Sequence, residues 1–355
     1  MKIGIVNDMP MAVEVLRRIV SGMPGHEVAW LAEDGHHAIE KCRENLPDLI
    51  LMDLIMPGID GAETTRRIMQ ETPCAIMVVT ASVTDNQSLA FEALSSGAID
   101  VMNTPVSGMH GSVDQNGPLE KKINNIARLI GKHNNNSTQQ LSSNIEKNGS
   151  DTPLICIGAS TGGPAAVVNV LKSLPPSFPA AVIVVVHIDA EFAPGMAEWM
   201  NESIALPVSL IHEGDQPKAG HVLLAATNEH LVLSRHKTLH YTPEPIHYHY
   251  RPSVDAFMSS LSQHWSGNAV GVLLTGMGSD GAKGLKSMRE HGWKTIAQDE
   301  ASSTIYGMPK AAVKIGAAEK ILSLNDIGAE LVDIIEKMMS RQTLPQSGGN
   351  NDQSR

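Results

Sequence analysis

Five short apolar runs, at Lys2–Val6, Val28–Ala32, Leu49–Met52, Ile76–Val79 and Ile99–Met102, alternate with amphipathic stretches such as Met11 to Val20 and Ala62 to Gln70. Short continuous apolar runs suit strands buried on both faces, and the helical spacing between them suits crossovers, so the rhythm predicts a parallel sheet of five αβ units. The rhythm returns further on with Leu154–Gly158, Ala181–Val186, Ala269–Leu274 and Lys294–Ala297, which predicts a second open αβ sheet. Within it, His221–Ala226 and His230–Ser234 flank Thr227-Asn228-Glu229 and are expected to form an antiparallel hairpin. Between the two halves lies HNNNSTQQLSSNIEKNGSD, too polar to cover a core. The expected division is therefore a first domain over 1–131, a polar linker over 132–152, a second domain over 153–340 and a disordered tail over 341–355.

Composition narrows the class of function. The chain has 355 residues, of which 42% are hydrophobic and 18% charged, as in a two-domain globular protein rather than a disordered or coiled-coil one. No apolar run is long enough to cross a bilayer and the start lacks a signal-peptide layout, so a cytoplasmic protein with no direct membrane insertion is expected. The net charge of −11 and the lack of a Lys/Arg block argue against nucleic acid as a partner. Cys42, Cys74 and Cys156 are far apart in sequence and sit in or beside apolar segments, where thiols act as small hydrophobes. They are read as reduced and structural.

In open αβ sheets, sites form beyond the carboxyl ends of the strands. In the first domain those ends carry Asp8, Asp53 and Thr80. Two carboxylates and a hydroxyl at one edge suit Mg²⁺, which favours a few carboxylates together with phosphate oxygens and water. This segment resembles the receiver domain of two-component response regulators, and the resemblance implies a flavodoxin-like (βα)5 fold. It further implies that Asp53 accepts a phosphoryl group, that Asp8, Asp53 and the Ile55 carbonyl hold Mg²⁺, that Thr80 senses the phosphate, and that a chemotaxis-type histidine kinase is the phosphodonor. Three positions depart from the family pattern. Asn7 stands where an acidic residue is usual, Thr104 before Pro105 where a Lys is usual, and Val101 where an aromatic switch residue is common.

In the second domain, Gly158-Ala-Ser160-Thr-Gly162 joins a strand to a helix start and matches G-x-S-x-G, which presents Ser160 at the sheet edge near helix N–H groups. A phosphate cradle is the alternative reading of that turn, but it lacks G-x-G-x-x-G and the Lys of a nucleotide-binding loop. A serine needs a base, and His187 directly follows the strand Val182–Val186. Asp280, after the strand Ala269–Leu274, is placed to orient the imidazole. The order Ser, His, Asp differs from that of ordinary αβ hydrolases.

The chain from about Pro153 to Leu324 resembles the catalytic domain of chemotaxis protein-glutamate methylesterases, through Ile-Gly-Ala-Ser-Thr-Gly-Gly-Pro, Val-Val-His187, Tyr250-Arg-Pro-Ser-Val-Asp255, Leu274-Thr-Gly-Met-Gly-Ser-Asp-Gly-Ala and Tyr306-Gly-Met-Pro309. The resemblance implies a doubly wound αβα Rossmann-like domain that hydrolyses glutamate 5-methyl esters, and deamidates glutamines, on methyl-accepting chemoreceptor-like proteins. Ser160 would be the nucleophile, His187 the base and Asp280 its orienter, with Thr161 and Met277 N–H groups as oxyanion donors and no cofactor for the ester step. The receiver departures resemble the branch of the family that serves alternative chemosensory pathways. An adaptor with a degenerate receiver and a constitutive or idle esterase is the competing reading. Among weaker features, His247, His249 and His240 lack a recognised metal spacing, and Asp299 and Glu300 are expected to cap.

Overall fold

A computed structural model describes residues 1–82, 84–105, 117–130, 152–246, 248 and 250–342. The expected linker falls almost wholly outside the described residues, as does the tail beyond Gln342.

The first sheet contains β1 (Lys2–Val6), β2 (Glu27–Ala32), β3 (Leu49–Met52), β4 (Ala75–Thr80) and β5 (Asp100–Asn103), all parallel, in the order β2-β1-β3-β4-β5. Helices α1 (Pro10–Gly22), α2 (Gly35–Glu44), α3 (Gly61–Glu71) and α4 (Gln87–Ser95) make the crossovers, and α5 (Gly117–Ile130) follows β5. Each starts where local chemistry allows it. Asp34 and Asp60 cap α2 and α3 by accepting from His37 and Glu63 N–H at 2.8 Å, and Pro10 opens α1. β3 is buried throughout, as a central parallel strand must be. Register decides which side chains meet: Val6 pairs with Met52 and Met52 with Val78, so the residues just beyond these strands gather at one edge.

The second sheet has seven parallel strands, β6 (Leu154–Ala159), β7 (Ala181–Val186), β8 (Val208–Leu210), β9 (Val222–Leu224), β12 (Ala269–Leu273), β13 (Lys294–Gln298) and β14 (Lys320–Leu322). A separate antiparallel ribbon pairs β10 (His230–Leu233) with β11 (Leu239–Thr242). The helices are α6 (Gly163–Lys172), α7 (Ala193–Ser203), α8 (Val254–His264), α9 (Ala282–Glu290), α10 (Met308–Lys314) and α11 (Leu324–Gln342). The order β14-β13-β12-β6-β7-β9-β8 reverses direction between β6 and β12, which opens a crevice beyond their carboxyl ends.

The structure corrects the expected hairpin. Val222–Leu224 is fully buried and pairs in parallel with β7 and β8, while His230–Leu233 turns back through Ser234–Thr238 onto β11. Lys237, with φ of 62°, makes that tight reversal. Three consecutive buried apolar residues carry no alternation, so the segment belongs inside a sheet covered on both faces. β8 and β14 had no sequence signal because each is a three-residue sheet edge. All three cysteines are free. Cys42 on α2 and Cys74 before β4 lie in hydrogen-bond contact, whereas Cys156 is fully buried.

The two domains meet along the β5 edge and α4 of the first. Phe91 of α4 stacks on Trp199 of α7, with ring centroids 5.3 Å apart and planes 12° apart. Gln87 packs against Gly195, where a Cβ would lie 2.1 Å from its Oε1. The Gly162 N–H donates to the Ile99 carbonyl at 3.0 Å. A single buried apolar cluster continues through α4 into α6 and α7.

Phe257 on α8 is fully buried in the cluster on the opposite face of the second sheet. Phe257→Ala is expected to lower the stability of the second domain by about 3–5 kcal/mol through lost burial and a residual cavity. Urea unfolding checks this, and a change below about 1 kcal/mol would mean that the site collapses around the deletion.

Candidate active site

Strand register also builds the second-domain site. Ala159 pairs with Val186 and Gly158 with Leu273, so Ser160, His187 and the loop from Leu274 onwards leave three adjacent strands side by side. Ser160 starts a tight turn in which the Gly163 N–H donates to the Ser160 carbonyl at 2.6 Å. Gly162, with φ of 73° and ψ of 0°, takes the third position of a type II turn, where a side chain would be strained. Ser160 itself has no such strain: among the described non-glycine residues only Lys237 has a positive φ.

His187 and Asp280 meet at 2.7 Å between Nε2 and Oδ2, with both side chains over nine-tenths buried. Asp280 accepts three more hydrogen bonds, from Ser253 Oγ at 2.8 Å and from Val254 and Asp255 N–H at 2.7 and 3.1 Å. It therefore sits on the amino end of α8, where helix N–H groups favour negative charge. Burial alone would push its carboxyl up, but hydrogen bonding and charge from His187, with the bonds from Ser253 and Val254, hold it below its ordinary value. A carboxylate can only accept, so His187 donates through Nε2. In a neutral ring Nδ1 is then the basic nitrogen, and it is buried with no hydrogen-bond partner among the described residues.

Tyr250 lies flat on the His187 ring, with centroids 4.3 Å apart and planes 6° apart. Burial, helped by the charge of Asp280, pushes the Tyr250 phenol up, so it stays protonated and presents a neutral π face. Behind Asp280, Ser253 is itself fixed because its N–H donates to His230 Nδ1 at 3.2 Å. Tyr250 and Ser253 belong to the Tyr-Arg-Pro-Ser-Val-Asp motif but had no assigned role. The motif marks the segment, and only the fold shows what these side chains touch.

On the other side of Ser160, Thr275 ties three segments together. Its carbonyl accepts from Ser160 N–H at 3.0 Å, its hydroxyl donates to the Thr161 carbonyl at 3.0 Å, and that hydroxyl accepts from Ile305 N–H at 2.9 Å. Buried Gln298 fixes Thr275 in turn through a 2.7 Å bond to its N–H. A Cβ on Gly276 would lie 2.8 Å from the Ser160 Cβ, so only glycine lets this loop approach. Among the described residues neither Thr161 nor Met277 uses its backbone N–H in a hydrogen bond, which leaves a donor on each side of Ser160.

In the first domain Asp53 is buried and accepts from Asn7 Nδ2 at 2.8 Å, from Leu54 N–H at 2.7 Å, and from the Thr80 hydroxyl and Ile55 N–H. Burial pushes its carboxyl up, those hydrogen bonds draw it down, and the charge of Asp8 pushes it up again. Asp8 is exposed. The Thr80 carbonyl accepts from Thr104 N–H at 2.7 Å, and Thr104 lines the space between the domains.

His240 contacts Glu213 and Thr238 through its two ring nitrogens, at 2.5 and 2.6 Å, while His247 and His249 lie outside the described residues. Asp299 Oδ1 accepts from Ser302 N–H and Oγ, bracing a turn. Among the described residues no group of three or more His, Cys, Asp or Glu could hold a metal, and no helix is long and apolar enough to cross a membrane.

A serine, a histidine and an aspartate gathered at the switch point of one αβ sheet, joined to an αβ domain with a buried strand-end aspartate, define a two-domain hydrolase with a receiver. Residues 3–109 match the response regulator receiver domain, and residues 155–331 match the CheB methylesterase family. A Pseudomonas putida protein named protein-glutamate methylesterase/protein-glutamine glutaminase of group 3 operon is 51% identical over 337 residues, covering 95% of this chain and all of that one. A Pseudomonas aeruginosa protein named protein-glutamate methylesterase/protein-glutamine glutaminase 3 is 50% identical over 336 residues, covering 95% and 100%. The CheB methylesterase catalytic domain of Thermotoga maritima superposes with a TM-score of 0.50 at 29% identity, over 52% of this chain and 99% of that one. The chain belongs to the CheB methylesterase family.

Asp255 supplies a pH test of this site's packing. Burial is the main reason its carboxyl is pushed up to about 6, partly offset by a hydrogen bond from Gly284 N–H and reinforced by Asp280. The folded protein holds this proton to higher pH than the unfolded chain, so the group's effect on stability worsens as pH rises from about 4 through 6. Asp255→Asn keeps an acceptor for Gly284. It is expected to gain stability over the parent by about 1–2 kcal/mol at pH 8 and far less at pH 4, read from urea unfolding at both values. An equal effect at both would show that the buried charge is not the cause.

Proposed function

We propose that this chain is a protein-glutamate methylesterase and protein-glutamine glutaminase that acts on methyl-accepting chemoreceptor-like proteins, controlled by phosphorylation of its receiver. The observation that carries the reading is the buried His187–Asp280 pair beside Ser160, with N–H donors on both sides of the serine that have no hydrogen-bond partner among the described residues. Ser160 Oγ attacks the glutamyl ester carbonyl, and its proton passes to His187 Nδ1. Thr161 and Met277 N–H groups receive the developing oxyanion. As the tetrahedral intermediate collapses, the proton on Nδ1 goes to the departing methoxide, which leaves as methanol. Water, deprotonated by the same nitrogen, then attacks the acyl-serine and releases the glutamate. With a glutamine the leaving group is ammonia. Asp280 holds the ring and offsets the positive charge it acquires. The ester step so assigned uses side chains and backbone N–H groups alone.

In the receiver, Asp53 accepts the phosphoryl group from a chemotaxis-type histidine kinase, and Thr80 follows the phosphate. Asp8, Asp53 and the Ile55 carbonyl form an all-oxygen set in which one carboxylate already raises the other, an arrangement a divalent cation relieves. Mg²⁺ held there would neutralise charge during phosphoryl transfer. Asn7 supplies a donor to Asp53 where the family has a second carboxylate. The receiver covers Ser160, and the route Asp53–Thr80–Thr104 leads to the wall it presents. We assign residues 1–131 to the receiver, 132–152 to the linker, 153–340 to the catalytic domain and 341–355 to the tail. The relatives' operon designations support a place among pathways additional to a main chemotaxis system. An adaptor with an idle esterase is not favoured, since the relatives at about half identity are named as enzymes over nearly the full length.

Methanol release from methylated receptor signalling domains is expected to fall by about 10⁴-fold or more in Ser160→Ala. A folded wild-type chain that releases none would sink the esterase reading. A small phosphodonor with Mg²⁺ is expected to raise the rate by about tenfold or more in the wild type and not in Asp53→Ala. An unchanged wild-type rate would remove phosphorylation control. The stacked ring is tested separately: Tyr250→Ala is expected to lower kcat/KM by about tenfold and Tyr250→Phe to stay within about twofold, because the phenyl face suffices to support the charged imidazole. Equal losses would assign the effect to the hydroxyl.

A further inference from the structure

The receiver covers the serine without filling the space above it. The domains touch at Phe91–Trp199, at Gln87 against Gly195, and at the Ile99–Gly162 hydrogen bond. Bordered by the first and last of these, a cavity of about 700 Å³ remains. Its floor includes Ser160 and His187, and its roof includes Leu94 and Thr104 of the receiver. Ser160 keeps partial exposure into it.

That volume decides what can reach the serine. A helix with side chains is roughly 11 Å across, so the cavity would enclose about 7 Å of it, or some five residues. A receptor helix bundle does not fit inside this space. The same volume falls within the roughly 300–1,000 Å³ of small-molecule sites. The lining contributed by Phe91, Leu94, Ile188 and Phe192 is apolar. We infer that the receiver-covered form is itself an esterase for short-chain, uncharged carboxylic esters, so that phosphorylation governs the size of substrate admitted and not the competence of the catalytic groups.

This inference rests on the proposed roles of Ser160 and His187. The chemistry is ester plus water giving acid plus alcohol. Ser160 Oγ bonds to the ester carbonyl carbon, the alcohol leaves with the serine's proton by way of His187, and water then cleaves the acyl-serine. No further reactant is required. Among the described residues the Thr161 and Met277 N–H groups make no hydrogen bond to the receiver, and the neighbouring Gly162 N–H is taken by Ile99.

The test uses the full chain with p-nitrophenyl acetate and, in parallel, a methylated receptor signalling domain. In Asp53→Ala, which cannot be phosphorylated, p-nitrophenyl acetate hydrolysis is expected within about threefold of the phosphorylated wild type, while methanol release from the receptor is about tenfold or more lower. The p-nitrophenyl acetate activity should disappear with Ser160→Ala. Thr104→Trp in the Asp53→Ala chain should reduce it by about tenfold, because an indole occupies the cavity from the receiver side. The inference is overturned if p-nitrophenyl acetate hydrolysis in Asp53→Ala falls as far as receptor hydrolysis, survives Ser160→Ala, or ignores Thr104→Trp. A phosphorylated chain that demethylates receptor while its unphosphorylated form leaves p-nitrophenyl acetate intact defeats this inference alone. Loss of both activities in the phosphorylated chain defeats the esterase reading on which it depends.

Discussion

The second domain is organised around one buried negative charge. Asp280 could not stay ionised inside an αβ sheet without compensation, and four donors converge on it from His187, Ser253 and the first two N–H groups of α8. Satisfying that carboxylate fixes the start of α8 against the loop after β12, and it fixes which nitrogen of His187 carries a proton. Asp255, one step along α8, turns to the Gly284 N–H and so joins α8 to the amino end of α9. The polar links that position the imidazole therefore also hold two helices to the sheet. Stability and site geometry are coupled here because the charge that orients the imidazole is the one the fold had to neutralise.

Ser160 depends on a different mechanism. Its position comes from strand register and glycine, through the type II turn at Gly162 and the close approach of Gly276, with no strained backbone at the serine. Thr275 and Gln298 then lock the neighbouring loops, and among the described residues the Thr161 and Met277 N–H groups have no hydrogen-bond partner. The receiver takes one adjacent donor, that of Gly162, through Ile99. A short path runs from Asp53 through Thr80 to Thr104 at that interface, so the proposed phosphoacceptor is two hydrogen bonds from the wall over the serine. Asn7 and Thr104 stand as uncharged residues at the two ends of that path.

Much of this was legible in the sequence because parallel sheets write themselves as apolar runs, and their functional residues fall just past the ends of those runs. That rule pointed to Asp53, Ser160, His187 and Asp280 as candidates. The rule failed where burial and strand direction part company. Val222–Leu224 looked like half of a hairpin but is an interior parallel strand, and the hairpin lies one segment later. Tyr250, Ser253 and His230 carried no signal for their roles, since stacking on an imidazole or bracing a carboxylate depends on segments tens of residues apart. The contact of Cys42 with Cys74 was invisible for the same reason.

The sequence by itself determined two αβ domains and marked a candidate nucleophile, base, acid and phosphoacceptor, because each depends on local periodicity and on the residues that follow a strand. Only the tertiary structure decided that His187 meets Asp280 through Nε2, that Tyr250 lies on its ring, and that the receiver leaves space over Ser160. Those outcomes depend on strand register and on the docking of one domain against another. Both are set by packing between residues distant in the chain, which no local pattern records.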